Sequence, residues 1–194
     1  MATQGQDISK IVKGFFTLFS IVMILTSVSY TCAQEGNEAL IVASTEGDLK
    51  KVETLVGAGV DVNYRDNRGF TPLMRAATRG YPDVVKFLLM RGADIDAKDN
   101  NGATALLLAC GGGGIEVIKI LVDHRADINV QDKSGRSSLM VPAWTGQLDI
   151  LRLLLENGAK VNAKDKHGKT ALMLATEQGQ AQAAELLKAF GAKD

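Results

Sequence analysis

The sequence predicts an all-α solenoid of about five helix-turn-helix repeats, with hairpin loops projecting between successive repeats. Three observations predict it: self-similarity with a period of 33 residues, a thin apolar helix followed by a more hydrophobic one in each period, and a polar Asx- and Gly-rich run between periods. Asp66, Asp99, Asp132 and Asp165 share the period, as do Gly69, Gly102, Gly135 and Gly168. So do Leu73, Leu106, Leu139 and Leu172, then Gly80, Gly113, Gly146 and Gly179. Four aligned columns at one spacing in the range of 20 to 50 residues decide the architecture before any single element is assigned.

The elements of the second copy justify themselves in order. Thr71 offers a capping hydroxyl and Pro72 a preset φ at a helix start. Leu73, Ala76 and Ala77 give that helix one small apolar face, thin enough to stack, and Gly80 ends it. Val84, Val85, Leu88 and Leu89 recur at helical spacing and form a second helix, which Gly92 closes in the left-handed conformation. The segment from Ala93 to Gly102 is short, polar and rich in turn formers, which suits a hairpin leading into the next pair. No pair can bury both faces alone, so the copies must stack.

Written as D-x-x-G-x-T-P-L, A-A-x-x-G, V-V-x-x-L-L and G-A-D-x-N, the copy resembles the ankyrin repeat. The resemblance covers about Asn37 to Asp194, in repeats of about 37–65, 66–98, 99–131, 132–164 and 165–194. The first copy keeps Leu40, Ala43, Gly47, Val52, Leu55, Gly59 and Asn63 but lacks the T-P-L start. The last carries Gln182, Glu185 and Lys188 in its second helix, as a polar end cap would. The resemblance implies an ankyrin-repeat solenoid acting as a non-enzymatic protein-protein interaction module with a protein partner, and a monomer is expected.

Composition agrees with one globular domain. Apolar residues make up 46% and charged residues 23% of the 194, with 22 basic against 22 acidic side chains. That is too much burial potential for disorder and too little net charge for a bulk nucleic-acid binder; no specific nucleic acid is expected. Cys32 and Cys110 cannot form a multi-bridge scaffold. Residues Gly14 to Gln34 are uncharged, follow Lys10 and Lys13, and reach small side chains at Thr31-Cys32-Ala33, the layout of an export signal. The expectation is a signal peptide over 1–33, cleaved after Ala33, and a repeat domain over 34–194 that is exported to the periplasm or secreted. An uncleaved signal anchor is the alternative, since the stretch is long enough to span a bilayer; membrane contact is expected only in that case.

No catalytic, metal or cofactor constellation is visible. Gly168-Lys169-Thr170 resembles the tail of a phosphate-binding loop, but the motif's first glycine would fall at Ala163. The same register holds Gly69-Phe70-Thr71 and Gly102-Ala103-Thr104, so repeat grammar explains it. Gly111 to Gly114 read as a helix end, and His124 and His167 lack partners at ligand spacing. Cys110 occupies an alanine column and reads as a small buried side chain.

By resemblance to the family, the binding surface is built from residues flanking the turn Asp and from the two positions before the first-helix glycine. The candidate partner-binding residues are Arg65, Arg68, Phe70, Arg79, Lys98, Lys133, Arg136, Trp144, Lys166 and Lys169. A solvated hairpin edge is the alternative for the cations. An anionic-polymer binder, or an accessory or stress-protection factor for an exported enzyme, are the rival functions. Three departures from the repeat stand out. Trp144 aligns with Thr78, Gly111 and Glu177, where no large side chain is needed, and reads as an anchor beside a notch left by Gly111 and Gly112. Pro142 stands in an alanine column inside the first helix, where it can kink it. Arg125 replaces a glycine and is expected at positive φ. Drift in a tolerant repeat is the alternative for all three.

Overall fold

The computed structural model describes residues 34–193 except Gly113. The leader or anchor expected over 1–33, Gly113 in its glycine column, and Asp194 lie outside the described residues. All regular structure among the described residues is helical. The helices are α1 (34–46), α2 (Leu49–Gly57), α3 (Pro72–Arg79), α4 (Pro82–Met90), α5 (Ala105–Gly112), α6 (Gly114–Asp123), α7 (Met140–Thr145), α8 (Leu148–Glu156), α9 (Ala171–Glu177) and α10 (Ala181–Ala189). The chain is therefore an all-α solenoid, as expected. In the front layer α3, α5, α7 and α9 pack in succession, and in the back layer α2, α4, α6, α8 and α10 do the same.

The repeat columns explain this stacking. Leu73, Leu106, Leu139 and Leu172 are each at most 1% exposed, and Leu88, Leu121, Leu154 and Leu187 are fully buried. Each column is thus one line of side chains running through the stack. Truncating a fully buried Leu to Ala costs about 2–5 kcal/mol, so any of these columns can decide whether two repeats stay together. Between the lines sit Ala76, Ala109 and Ala175, all buried, small enough for the front helices to approach closely.

Front-helix starts follow the expected chemistry in three repeats. The hydroxyls of Thr71, Thr104 and Thr170 accept from the N–H of Met74, Leu107 and Met173 at 3.3–3.4 Å. The fourth repeat differs. There Ser137 accepts the Met140 N–H through its carbonyl at 3.1 Å, and α7 begins two residues later than α5 and α9 do in the same register. The expected kink at Pro142 is corrected accordingly: the late start puts Pro142 in the first turn of α7, where a missing N–H costs no intrahelical bond. Gly111 and Gly112 mark a helix end, as expected: they are the last two residues of α5, and Gly114, at φ 73°, opens α6. At the first repeat, α1 is already helical at residue 34, where the register of α3 would start it at residue 39.

The hairpins are held by their aspartates. Oδ1 of Asp66, Asp99, Asp132 and Asp165 each accepts two turn N–H groups at 2.8–2.9 Å, from the residues two and four positions on. Neighbouring tips then join: the N–H groups of Asn100, Lys133 and Lys166 donate to the carbonyls of Arg68, Asn101 and Ser134 at 2.8–3.0 Å. The approach is close enough that a Cβ on Gly135, at φ 78°, would lie 2.8 Å from Asp165 Cα. Glycine is required there by both conformation and space.

A second ladder runs behind the hairpins. Asn63, Asn129 and Asn162 each donate from the side-chain amide to the carbonyl of Gly92, Gly158 or Gly191 at 3.1–3.2 Å, and accept from the N–H two residues further on. Asp96 holds the same position between the second and third repeats, and it only accepts, from the Asp127 N–H at 2.9 Å. The carbonyl it leaves without an amide donor belongs to Arg125, the sole non-glycine at positive φ among the described residues, at 65°. Two departures that look unrelated in sequence therefore weaken one junction. Arg125→Gly is expected to raise the unfolding free energy by about 1 kcal/mol, and Asp96→Asn by about 0.5–1.5 kcal/mol, as read by urea denaturation. A loss of stability in both variants would contradict the assignment.

Helix quality also varies between repeats. α3 has both hydrogen bonds of a capping box and a proline at its start, whereas α5 ends on two glycines and α7 has no side-chain cap. Hydrogen exchange should find the amides of 110–112 and 143–145 less protected than those of 77–79; equal or greater protection would refute the ranking.

Candidate partner-binding surface

Hairpins and front helices form one continuous face. The Arg75 guanidinium, on α3, lies 4.0 Å from the centroid of the Phe70 ring, on a hairpin. Three repeats on, Lys169 Nζ meets Glu177 Oε2 of α9 at 2.7 Å. By register, Arg136 and Trp144 hold in the fourth repeat the positions that Lys169 and Glu177 hold in the fifth.

The ten candidate residues divide by what they already touch. Arg136 is committed to Asp132 at 2.6 Å, and Lys169 to Glu177. Arg65 donates to the Lys98 carbonyl at 2.5 Å. Phe70 is half-buried beneath two guanidiniums, with Arg68 at 5.2 Å from its centroid in addition to Arg75, so it supports cations more than it offers a free apolar contact. Arg68, Arg79, Lys98, Lys133 and Lys166 are exposed and make no ion pair among the described residues. Trp144, the only tryptophan in the chain, is 49% exposed. The notch expected beside it lies elsewhere. A cavity of about 630 Å³ is lined by Gly112, Gly114, Gly146, Leu148 and Asp149 among others, and Trp144 is not among its lining residues. The missing side chains open space at the turns leading into α6 and α8.

The face also holds residues that sequence reasoning passed over. Arg75, Leu108, Val141 and Leu174 occupy one column and are half-buried on four successive front helices. The signal was present in the register. A run such as Leu106-Leu107-Leu108 reads as core throughout, however, until the helix faces are known.

Electrostatics on this face are uneven. The turn aspartates spend Oδ1 on backbone N–H groups, and Asp99 and Asp132 are each only 6% exposed. Asp66 further binds Arg75 at 2.6 Å. Burial alone would raise the Asp66 pKa, but the Arg75 hydrogen bond, the N–H groups of Phe70 and Arg68, and the Arg75 charge together hold it below the ordinary carboxylate value. On the buried side of the same repeats, Cys110 lies in the core and burial pushes its thiol up to about 12, which leaves it protonated and unreactive at neutral pH.

The phosphate-loop reading of Gly168-Lys169-Thr170 dissolves in this geometry. Asp165 Oδ1 accepts the Lys169 N–H, and Thr170 caps α9; both groups serve the repeat. Among the described residues no cluster of three or more His, Cys, Asp or Glu side chains is placed to hold a metal.

The fold and its periodic turns are matched by family models. Residues 92–165 match the model of ankyrin repeats (3 copies), and residues 55–109 match that of ankyrin repeats (many copies). The chain belongs to the ankyrin-repeat proteins, which are typically non-enzymatic interaction modules. No curated protein matches it in sequence.

The Asp66 ion pair yields a pH prediction. A depressed folded-state pKa means that ionised Asp66 stabilises the fold above the ordinary carboxylate range, and that this contribution is lost as pH falls below about 4. Asp66→Asn should lower stability by about 1 kcal/mol at pH 7, with the gap to wild type closing in acid. A gap that widens towards pH 3 would reverse the sign and refute the assignment.

Proposed function

We propose that the chain is a non-enzymatic, monomeric binding module that acts outside the cytoplasm and captures a protein partner on its hairpin and front-helix face. One observation carries the location of the site: a half-exposed indole at Trp144, in a column that elsewhere accepts Thr, Gly and Glu and therefore asks nothing of core packing. Tryptophan and arginine are the favoured anchors of protein interfaces, and Arg68, Arg79 and Lys133 share the face. Export is supported by the sequence alone, through Lys10, Lys13 and the uncharged run that follows them. No helix of the described residues is long and apolar enough to cross a membrane.

Three experiments test the two halves of this reading. A photo-crosslinking residue at position 144 should give a defined protein adduct in the exported fraction, while the same residue at Met90, 72% exposed at the end of α4, should not. Adducts at both positions, or at Met90 alone, would move the site. Trp144→Ala should weaken capture by about 2 kcal/mol or more with an unchanged unfolding curve. For the location, the isolated protein should begin at Gln34 and stay soluble without detergent; an intact Met1 in the membrane pellet would replace the cleaved signal by an anchor.

A further inference from the structure

Resting on that protein-binding reading, we propose the chemistry of the partner: an acidic polypeptide segment carrying a large apolar side chain. Charge comes first. On the second to fifth repeats the acidic groups of the hairpin tips and front helices all make hydrogen bonds: the four turn aspartates with backbone N–H groups, Asp66 and Asp132 also with arginines, and Glu177 with Lys169. The cations are not balanced in return. Lys98, Lys133 and Lys166 recur at the hairpins, exposed and without ion pairs among the described residues, and Arg68 and Arg79 join them. The lysine tips are also well positioned, since the backbone N–H groups of Lys133 and Lys166 are fixed in the tip ladder. An approaching segment on these repeats therefore meets five exposed cations without ion pairs against two aspartates without them, Asp99 and Asp165, and acidic side chains complement that excess of positive charge.

Apolar contact comes second. Val141 and Trp144 stand three residues apart on α7 and so share a helix face. Leu108 on α5 and Leu174 on α9 flank them in the column of Val141, and all four are partly or largely exposed. This floor separates a polypeptide from a nucleic acid. Single-strand binders stack successive bases on several aromatic rings, whereas this surface offers one indole among aliphatic groups, with Phe70 covered by arginines. A second copy of the chain is disfavoured, because two-fold pairing of this face would set like charges against each other.

The test uses the full chain and a displayed library of random peptides of about sixteen residues, a length that can cross several repeats. Peptides enriched on wild type should be rich in Asp and Glu and contain at least one large apolar residue. A synthetic copy of an enriched peptide should bind about tenfold more weakly to the Lys98→Gln, Lys133→Gln, Lys166→Gln variant, with the loss shrinking at high salt, and about tenfold more weakly to Trp144→Ala at all salt concentrations. Melting curves of both variants establish that they remain folded; glutamine is chosen because it removes the charge and stays polar. Enrichment of neutral or basic peptides that still depend on Trp144 would overturn the acidic assignment and leave the protein-binding reading standing. Binding of a thymidine oligonucleotide as tightly as the enriched peptide would overturn it in favour of a polyanion. The absence of any enriched peptide would overturn both.

Discussion

No repeat of this protein can bury its own apolar faces, and everything else in the structure follows from that constraint. A front helix with a single Leu line and small Ala neighbours has a core only when the next copy lies against it. The aspartate turns and the tip ladder serve the same end. By binding two N–H groups each, Asp66, Asp99, Asp132 and Asp165 fix the hairpin conformation, and fixed hairpins hand one tip's carbonyl to the next tip's N–H. Register is thereby set twice, by side chains in the core and by backbone at the edge. Stability in such a stack is a sum of repeat and neighbour terms, so a weak junction stays local.

The same constraint sorts the departures from the pattern. Asp96 and Arg125 weaken one seam and lie outside the core. Pro142 is tolerated because its helix starts late and converts an interior proline into a first-turn proline. Trp144 lies where stacking makes no demand, and its indole stays half-exposed. The turn aspartates shape the hairpins through Oδ1, and Asp99 and Asp132 are buried in doing so, while Arg68, Lys98, Lys133 and Lys166 of the same loops stay exposed.

The fold was legible because periodic constraints are written into single residue types. Leu at 73, 106, 139 and 172 and glycine at 69, 102, 135 and 168 have one physical reason each, repeated. Arg125 at positive φ was legible on the same ground. The proposed binding face was only partly so. Its cations could be read from the hairpins, but not that Arg136 and Lys169 are spent on Asp132 and Glu177, since those pairings depend on side-chain geometry across a turn. Leu108, Val141 and Leu174 escaped notice because a residue's helix face, rather than its polarity, decides whether it joins the core. The late start of α7 was hidden for a similar reason: Ser137 in a threonine column conserves the capping hydroxyl but not its use.

Trp144 is a solvent-reachable indole on a face rich in exposed cations, and this can be measured in the free protein. Because the chain has a single tryptophan, quenching of its fluorescence reports on that position alone. Iodide should quench it well and caesium poorly, relative to neutral acrylamide, and the difference should shrink as added salt screens the surface. Inaccessibility to all three quenchers, or a preference for caesium, would contradict the account.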